Sequence, residues 1–208
     1  MKVMIVNGSP HKKGTTYTGL CEVEKILKEE GVETVWVNVP HDCPSCMACD
    51  YCHRNKEGCI KKDIVNEAQK IFENCDGLLV GSPVYYAGAS GSLMSFLDRF
   101  LYSYPGKSSL NLKAAASIAA SRRAGNITAN DMIQKFFSIS GMAIITSTYW
   151  NDPHGFNGQD ALKDEEAMQT MRNLGRNMAY YLKMRCLAKE NDLKEPEIEK
   201  KYSTHFIR

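Results

Sequence analysis

Three groups of residues have types and spacings that suit chemistry. The first is Gly8-Ser9-Pro10-His11-Lys12-Lys13-Gly14-Thr15-Thr16-Tyr17-Thr18. Glycines let a chain turn tightly, and the free N–H groups of a helix that starts there can face an anion. Ser9, Thr15 and Thr16 add hydroxyls, while His11, Lys12 and Lys13 add positive potential, so phosphate is the expected ligand. Two familiar phosphate motifs do not match. Gly8 and Gly14 stand five residues apart with Thr15 next, where a P-loop needs four and then lysine, and no G-x-G-x-x-G occurs. The plainer reading of the same residues is a polar turn in which Thr15 caps a helix.

The second group is sulfur. Of the eight cysteines (Cys21, Cys43, Cys46, Cys49, Cys52, Cys59, Cys75 and Cys186), five lie between Cys43 and Cys59. The run Cys46-x2-Cys49-x2-Cys52-x6-Cys59 puts four thiolates on a short loop. Successive x2 spacings turn sulfurs inward, so four of them can surround one cubic iron–sulfur cluster. Cys43, Cys46, Cys49 and Cys52 form a second register. A four-cysteine zinc site, which usually uses two separated CxxC hooks, and metal-free redox or leftover thiols are the rivals. Cys21, Cys75 and Cys186 read as small core residues.

The third group is a pair of later loops. In Gly81-Ser82-Pro83-Val84-Tyr85-Tyr86-Ala87-Gly88-Ala89-Ser90-Gly91, Pro83 is expected to take the chain out of a sheet. Gly88 and Gly91 leave room for a flat ligand beside the rings of Tyr85 and Tyr86, although a rigid aromatic turn explains them equally well. In Ser121-Arg122-Arg123-Ala124-Gly125-Asn126-Ile127-Thr128, one arginine could hold an anion, whereas two adjacent arginines more often mark a solvated edge. His154, in Trp150-Asn151-Asp152-Pro153-His154-Gly155, reads as either a polar-turn histidine or a ligand contact.

These loops need elements to hold them. Short β-rich runs at Lys2–Asn7, Glu33–Asn38, Gly77–Gly81, Ala114–Ala119 and Met142–Ser147 alternate with amphipathic helical runs. The helical stripes are Leu20/Val23/Leu27, Ile64/Ala68/Ile71/Cys75, Leu93/Phe96/Leu97/Phe100/Leu101 and Met132/Ile133/Phe136/Phe137. A last helix starts near Asp164 with the stripe Met168/Met171/Leu174/Met178/Leu182. Five strands joined by crossover helices predict an α/β doubly wound parallel sheet, three layers deep, in the order 2-1-3-4-5. Ligands of such sheets lie beyond the carboxyl ends of the strands, where all three loops fall. Residues 1–187 are expected to form the domain, and the charged stretch 188–208 an extension or an arm onto a partner subunit.

Composition narrows the class. A chain of 208 residues fits one domain, and 26 basic minus 24 acidic residues leave +2, which gives nucleic acid no electrostatic hold. At 43% hydrophobic and 24% charged residues the chain reads as globular, without an apolar run long enough for a membrane span or a secretory signal. A cytoplasmic setting follows, where thiols stay reduced.

Gly8-Ser9-Pro10…Gly14-Thr15-Thr16, Gly81-Ser82-Pro83-Val84-Tyr85-Tyr86 and Leu97-Asp98-Arg99 together resemble the flavodoxin-like NADPH-dependent FMN reductase family, from residue 1 to about 183. The cysteine run resembles that of its iron-sulfur flavoprotein branch. The resemblance implies a flavodoxin-like fold and FMN. Ser9, His11, Gly14, Thr15 and Thr16 would seat the phosphate, with His11 where many relatives carry arginine. Pro83, Val84, Tyr85, Tyr86 and Gly88 would frame the flavin ring, with Ser121, Arg122 and Gly125 on its other side. Cys46, Cys49, Cys52 and Cys59 would hold a [4Fe–4S] cluster that exchanges electrons with FMN. NAD(P)H or a ferredoxin-like protein would be the donor, a small molecule or a protein the acceptor, and a homodimer or homotetramer the assembly. In a cluster-free NAD(P)H-dependent reductase, Arg122, Arg123 and His154 would be candidates to meet the dinucleotide or the acceptor. Two alternatives stay open: a cluster-free NAD(P)H-dependent FMN or quinone reductase, and a non-enzymatic flavodoxin-like electron carrier.

Overall fold

The computed structural model describes residues 1–199, 202 and 204. Its centre is a parallel sheet of β1 (Lys2–Asn7), β2 (Glu33–Asn38), β3 (Gly77–Tyr85), β5 (Ala114–Ala120) and β6 (Ala143–Ile144), in the order β2-β1-β3-β5-β6. A two-residue strand, β4 (Gly88–Ala89), folds back antiparallel onto β3. The alternating and continuous apolar runs of the strands are thus buried on both faces, as a parallel sheet requires.

Alternation splits β1 between two cores. Val3 and Ile5 face α1 (Thr15–Glu29) and α7 (Glu165–Glu190), packing with Leu20, Val23, Leu27, Met171, Leu174 and Met178. Met4 and Val6 face α3 (Ile64–Glu73), α4 (Gly91–Tyr102) and α5 (Asn126–Ile139), packing with Phe72, Phe96, Phe100, Ile133 and Phe137. The cysteine segment between β2 and α3 contains one short helix, α2 (Tyr51–Asn55), and another, α6 (Gly158–Ala161), precedes α7. Asp164 caps α7 by accepting from the Ala167 N–H, the start its acidic neighbours pointed to. That helix runs to Glu190, so a boundary at residue 187 falls in its last turn. Most of the tail beyond 199 lies outside the described residues.

Two strands depart from expectation. β3 does not end at Gly81; Ser82 and Pro83 pair with Ala119 and Ala120 of β5. The Gly81 carbonyl accepts from the Gly8 N–H on the β1 side, so by strand alternation Pro83 turns its missing donor to that same edge, past the last residue of β1. The last strand shrinks to Ala143–Ile144 from the expected Met142–Ser147. Ile145 still donates to the Ala115 carbonyl, and beyond it the chain leaves the ladder: Ser147 donates to the Thr170 carbonyl and Asn177 to the Thr146 carbonyl. The chain rejoins through Asn151, whose side-chain amide donates to the Ser117 carbonyl, and through a bridge of His154 with Ser121.

Candidate functional site

A cleft of about 650 Å³ opens at the carboxyl rim of the sheet. It gathers residues from four separate connections: Ser9–Thr16, Pro83–Tyr85, Ala120–Arg122 and Gly155–Asn157. Ser9, His11, Gly14, Thr15, Thr16, Pro83, Val84, Tyr85, Ser121 and Arg122, distant in sequence, therefore share one cavity.

The first turn leaves donors free at the start of α1. Gly14 is the N-cap of α1 and gives no side-chain cap, so the first N–H groups of that helix keep their donors free of a capping side chain. Ser9 accepts from the His11 N–H and donates its own backbone N–H to Asn7, which folds the loop over the strand end. His11, Lys12 and Lys13 stay exposed along the mouth, and none of the cleft-lining residues is acidic. The Thr15 hydroxyl is committed elsewhere: it donates toward the carbonyls of Gly155 (3.0 Å) and Asn157 (3.2 Å). What Thr15 offers an anion is thus its backbone N–H, while its side chain ties the 155–157 loop to the helix start. Thr16 is buried with its methyl against Gly81.

The other end of the cleft is a hairpin. Val84 and Tyr85 pair with Ala89 and Gly88, leaving Tyr86 and Ala87 as the turn, both left-handed at φ 49° and 59°. Primed turns prefer Gly or Asn there, so these two residues each carry strain of about 1 kcal/mol. Tyr86 stands fully in solvent. Gly88 and Gly125 do not line the cleft. Gly88 backs onto Met132 of α5, and a Cβ on Gly125 would lie 2.9 Å from both Ala87 Cα and Val84 Cγ1. With φ at +95°, Gly125 is the seat on which the hairpin rests. Ser121 donates to Asn126 Oδ1 at 2.7 Å, which holds the third loop against the start of α5.

Arg123 and His154 face a neighbouring hollow of about 480 Å³ with Tyr149, Trp150, Asp152, Asp164 and Glu166. His154 Nδ1 lies 3.2 Å from Asp164 Oδ2, and burial pushes the Asp152 carboxyl above its usual range. Of Arg122, Arg123 and His154, the three residues read as dinucleotide or acceptor contacts, only Arg122 borders the rim cleft.

The cysteine segment forms a second site. Cys46, Cys49, Cys52 and Cys59 all line one pocket of about 110 Å³, together with Lys61, Arg99 and Tyr102. Left-handed turns at Ala48 and Asp50 (φ 51° and 58°) reverse the chain between successive cysteines. Cys43 is instead buried in the core and does not line that pocket, although it lies against Arg99, and burial pushes its thiol up. All of these cysteines are free. Among the described residues no group of three or more His, Cys, Asp and Glu side chains converges as on a single metal ion. A four-iron cluster asks for less convergence, because each thiolate binds its own iron. Cations stand around the pocket: Arg54 donates to the Cys49 carbonyl and Lys61 to the Ser45 carbonyl, each at 3.0 Å.

Sequence reasoning missed the group that organises this pocket. Arg99, noticed only as part of a motif, is 1% exposed and hydrogen-bonded at Nε to Cys59 Sγ (3.3 Å) and through both terminal nitrogens to Asp63 (2.8 and 2.9 Å). Burial opposes its charge, but the bonds to Asp63 and Cys59 outweigh that cost and raise its pKa. The signal was an arginine inside the apolar run Phe96-Leu97-Asp98-Arg99-Phe100-Leu101, where lysine-like snorkelling has no way out. Of the fourth wall of the rim cleft, Gly155–Asn157, only Gly155 was touched by the sequence reading, as the neighbour of His154.

The profile of a family described as NADPH-dependent FMN reductase matches residues 1–157. An iron-sulfur flavoprotein of Methanocaldococcus jannaschii is 32% identical over 195 residues, covering 88% of this chain and 98% of that protein. A WrbA-like flavodoxin from Agrobacterium tumefaciens superposes at TM-score 0.63 and 12% identity, over 88% of this chain and 98% of that one. FerB, a flavoenzyme NAD(P)H:(acceptor) oxidoreductase from Paracoccus denitrificans, superposes at 0.65 and 15% identity, over 88% and 97%. At those identities the two structures speak for the flavodoxin-like fold.

Proposed function

The chain belongs to the NADPH-dependent FMN reductase family, and from that premise we propose an oxidoreductase of the iron-sulfur flavoprotein type. FMN occupies the rim cleft, and a [4Fe–4S] cluster occupies the cysteine pocket. The observation that carries the reading is the rim cleft itself, where an uncapped helix start and basic residues meet a hairpin wall in one cavity.

Ser9, His11, Gly14 and Thr16, with the backbone N–H of Thr15, hold the phosphate. Pro83, Val84 and Tyr85 border the ring on one side, with Tyr86 at its edge, and Ser121 and Arg122 border it on the other. Gly88 and Gly125 act from behind by seating the hairpin. Cys46, Cys49, Cys52 and Cys59 hold the cluster; core burial of Cys43 supports that register over the alternative. When bound, FMN supplies two-electron exchange with a donor such as NAD(P)H and one-electron exchange with the cluster. No side chain needs to act as a nucleophile. The chain's residues bind, orient and exclude water, and Arg122 places positive charge beside the ring.

A small-molecule or protein donor and acceptor, a homodimer or homotetramer and a reducing, cytoplasmic setting complete the proposal. Among the described residues no helix is long and apolar enough to cross a membrane. Anaerobic purification followed by a visible spectrum and by iron and acid-labile sulfide analysis tests it. Flavin bands with about four irons and four sulfides per chain are expected. Absence of flavin after FMN supplementation overturns the reading. Flavin without iron leaves the cluster-free NAD(P)H-dependent reductase, and flavin without NAD(P)H turnover with any acceptor leaves the electron carrier.

A further inference from the structure

We infer that Arg99 is the positioning residue of the cysteine pocket: it ties the two ends of the cysteine segment together and, through its bond to Cys59 Sγ, sets how readily the cluster loads and is reduced. The inference rests on the proposed cluster reading and deepens it. A guanidinium has five N–H donors in a fixed fork. Here all are engaged, one from Nε and two from each terminal nitrogen. Nε donates to Cys59 Sγ; one terminal nitrogen donates to the Pro44 carbonyl (3.2 Å) and Asp63, the other to the Lys61 carbonyl (3.2 Å) and Asp63.

Residues 44 and 61–63 bracket the four ligand cysteines. One side chain, rooted on the rigid helix α4, therefore closes the loop at both ends. Asp63 is itself held in place, since it caps α3 by accepting from the Val65 N–H. These bonds join protein atoms only, so they hold the pocket's ends without help from a cluster, which lowers the ordering cost of loading. An N–H donated to a ligand sulfur also withdraws charge from it and favours the more negative, reduced cluster. Lysine cannot replace this fork, because it has three donors on one point.

The test is Arg99→Lys in the full chain, reconstituted anaerobically with iron and sulfide alongside wild type. Expected are less than half the wild-type iron per chain, unchanged flavin content, and a lower cluster midpoint by redox titration. A tenfold change in the one-electron equilibrium corresponds to about 59 mV, and the shift should be of that order. A merely structural ion pair would change stability without moving the midpoint of the loaded cluster. Full loading at an unchanged midpoint overturns the inference.

Hydrogen exchange of the cluster-free wild-type chain gives a second arm that survives misfolding of the variant. Slow exchange over residues 44–63, comparable to α4, supports positioning by Arg99; exchange as fast as an unstructured loop overturns it. Should wild type take up no iron and sulfide, the cluster reading fails and the claim on reduction falls with it, while this second arm still decides the positioning claim.

Discussion

The rim cleft and the cysteine pocket are held together by different means. The cleft is made where regular elements end: strand termini, the start of α1 and a hairpin resting on α5. Its walls follow from the sheet order. The cysteine pocket lies in a segment whose only regular element before α3 is the five-residue α2, and one buried guanidinium gathers its ends. The first site is carried by the fold, the second by a side chain. They should accordingly fail under different insults.

The largest separation is expected from Asp63→Ala. It strands the charge of Arg99, 1% exposed, and removes the cap of α3. Asp63 is itself only half-buried, so losing it costs less than breaking a fully buried pair, about 2–3 kcal/mol, measurable by denaturant unfolding. Acid makes the same point reversibly. Burial opposes the charge of Asp63, but bonds from Arg99 and the Val65 N–H prevail, so its folded pKa lies below the ordinary value. A depressed carboxyl pKa stabilises the fold fully above the unfolded value of about 3.9 and loses that contribution as pH falls through the folded value. The rim cleft has no carboxylate in its walls. In the cluster-free chain, exchange over 44–63 should therefore accelerate below about pH 4 while flavin is still retained. Simultaneous loss of both would erase the contrast.

Gly125→Ala attacks the other site. The added Cβ meets Ala87 and Val84 at 2.9 Å in a left-handed backbone, so the hairpin must move. Strain plus overpacking amounts to about 2 kcal/mol, and flavin affinity should fall at least tenfold by fluorescence titration, with iron content unchanged.

What the sequence revealed follows the same division. Hydrophobic periodicity marked every main strand and the core stripes of the long helices, because burial against a sheet imposes period and little else. Residue types, not periodicity, marked the first turn and the cysteine run, and the fold brings each set into one pocket. Sequence reasoning missed the extension of β3 through Pro83, since a proline tolerated at a strand's open edge looks identical in sequence to one that ends it. It missed the organising role of Arg99 because its partners, Pro44, Cys59, Lys61 and Asp63, are brought near only by tertiary packing. Nothing in the sequence says that Gly125 is crowded by Ala87 and Val84, because the hairpin reaches it only through the fold.

A milder test of the cleft is Thr15→Val, which keeps shape but removes the donor shared by the Gly155 and Asn157 carbonyls. The expected loss is about 1 kcal/mol, or roughly fivefold in flavin affinity. Since the hydroxyl is already committed to these carbonyls, the effect should come as a faster flavin off-rate from a loosened 155–157 wall. A loss of a hundredfold or more would instead mean that the hydroxyl contacts phosphate directly.

The smallest effect changes no stability and decides which sulfurs belong to the second site. Burial pushes Cys75 up to about 11, so at pH 8 only about one molecule in a thousand carries its thiolate. Cys43 is also buried and its thiol raised, whereas Cys46 is exposed. A brief iodoacetamide pulse on the cluster-free chain at pH 8 should label Cys46 first and leave Cys43 and Cys75 unmodified until unfolding. Loading iron and sulfide should then protect Cys46, Cys49, Cys52 and Cys59 and leave Cys43 as slow as before. Fast labelling of Cys43 that disappears on loading would move the ligand set to the register beginning at residue 43. It would also detach Cys59 from the metal.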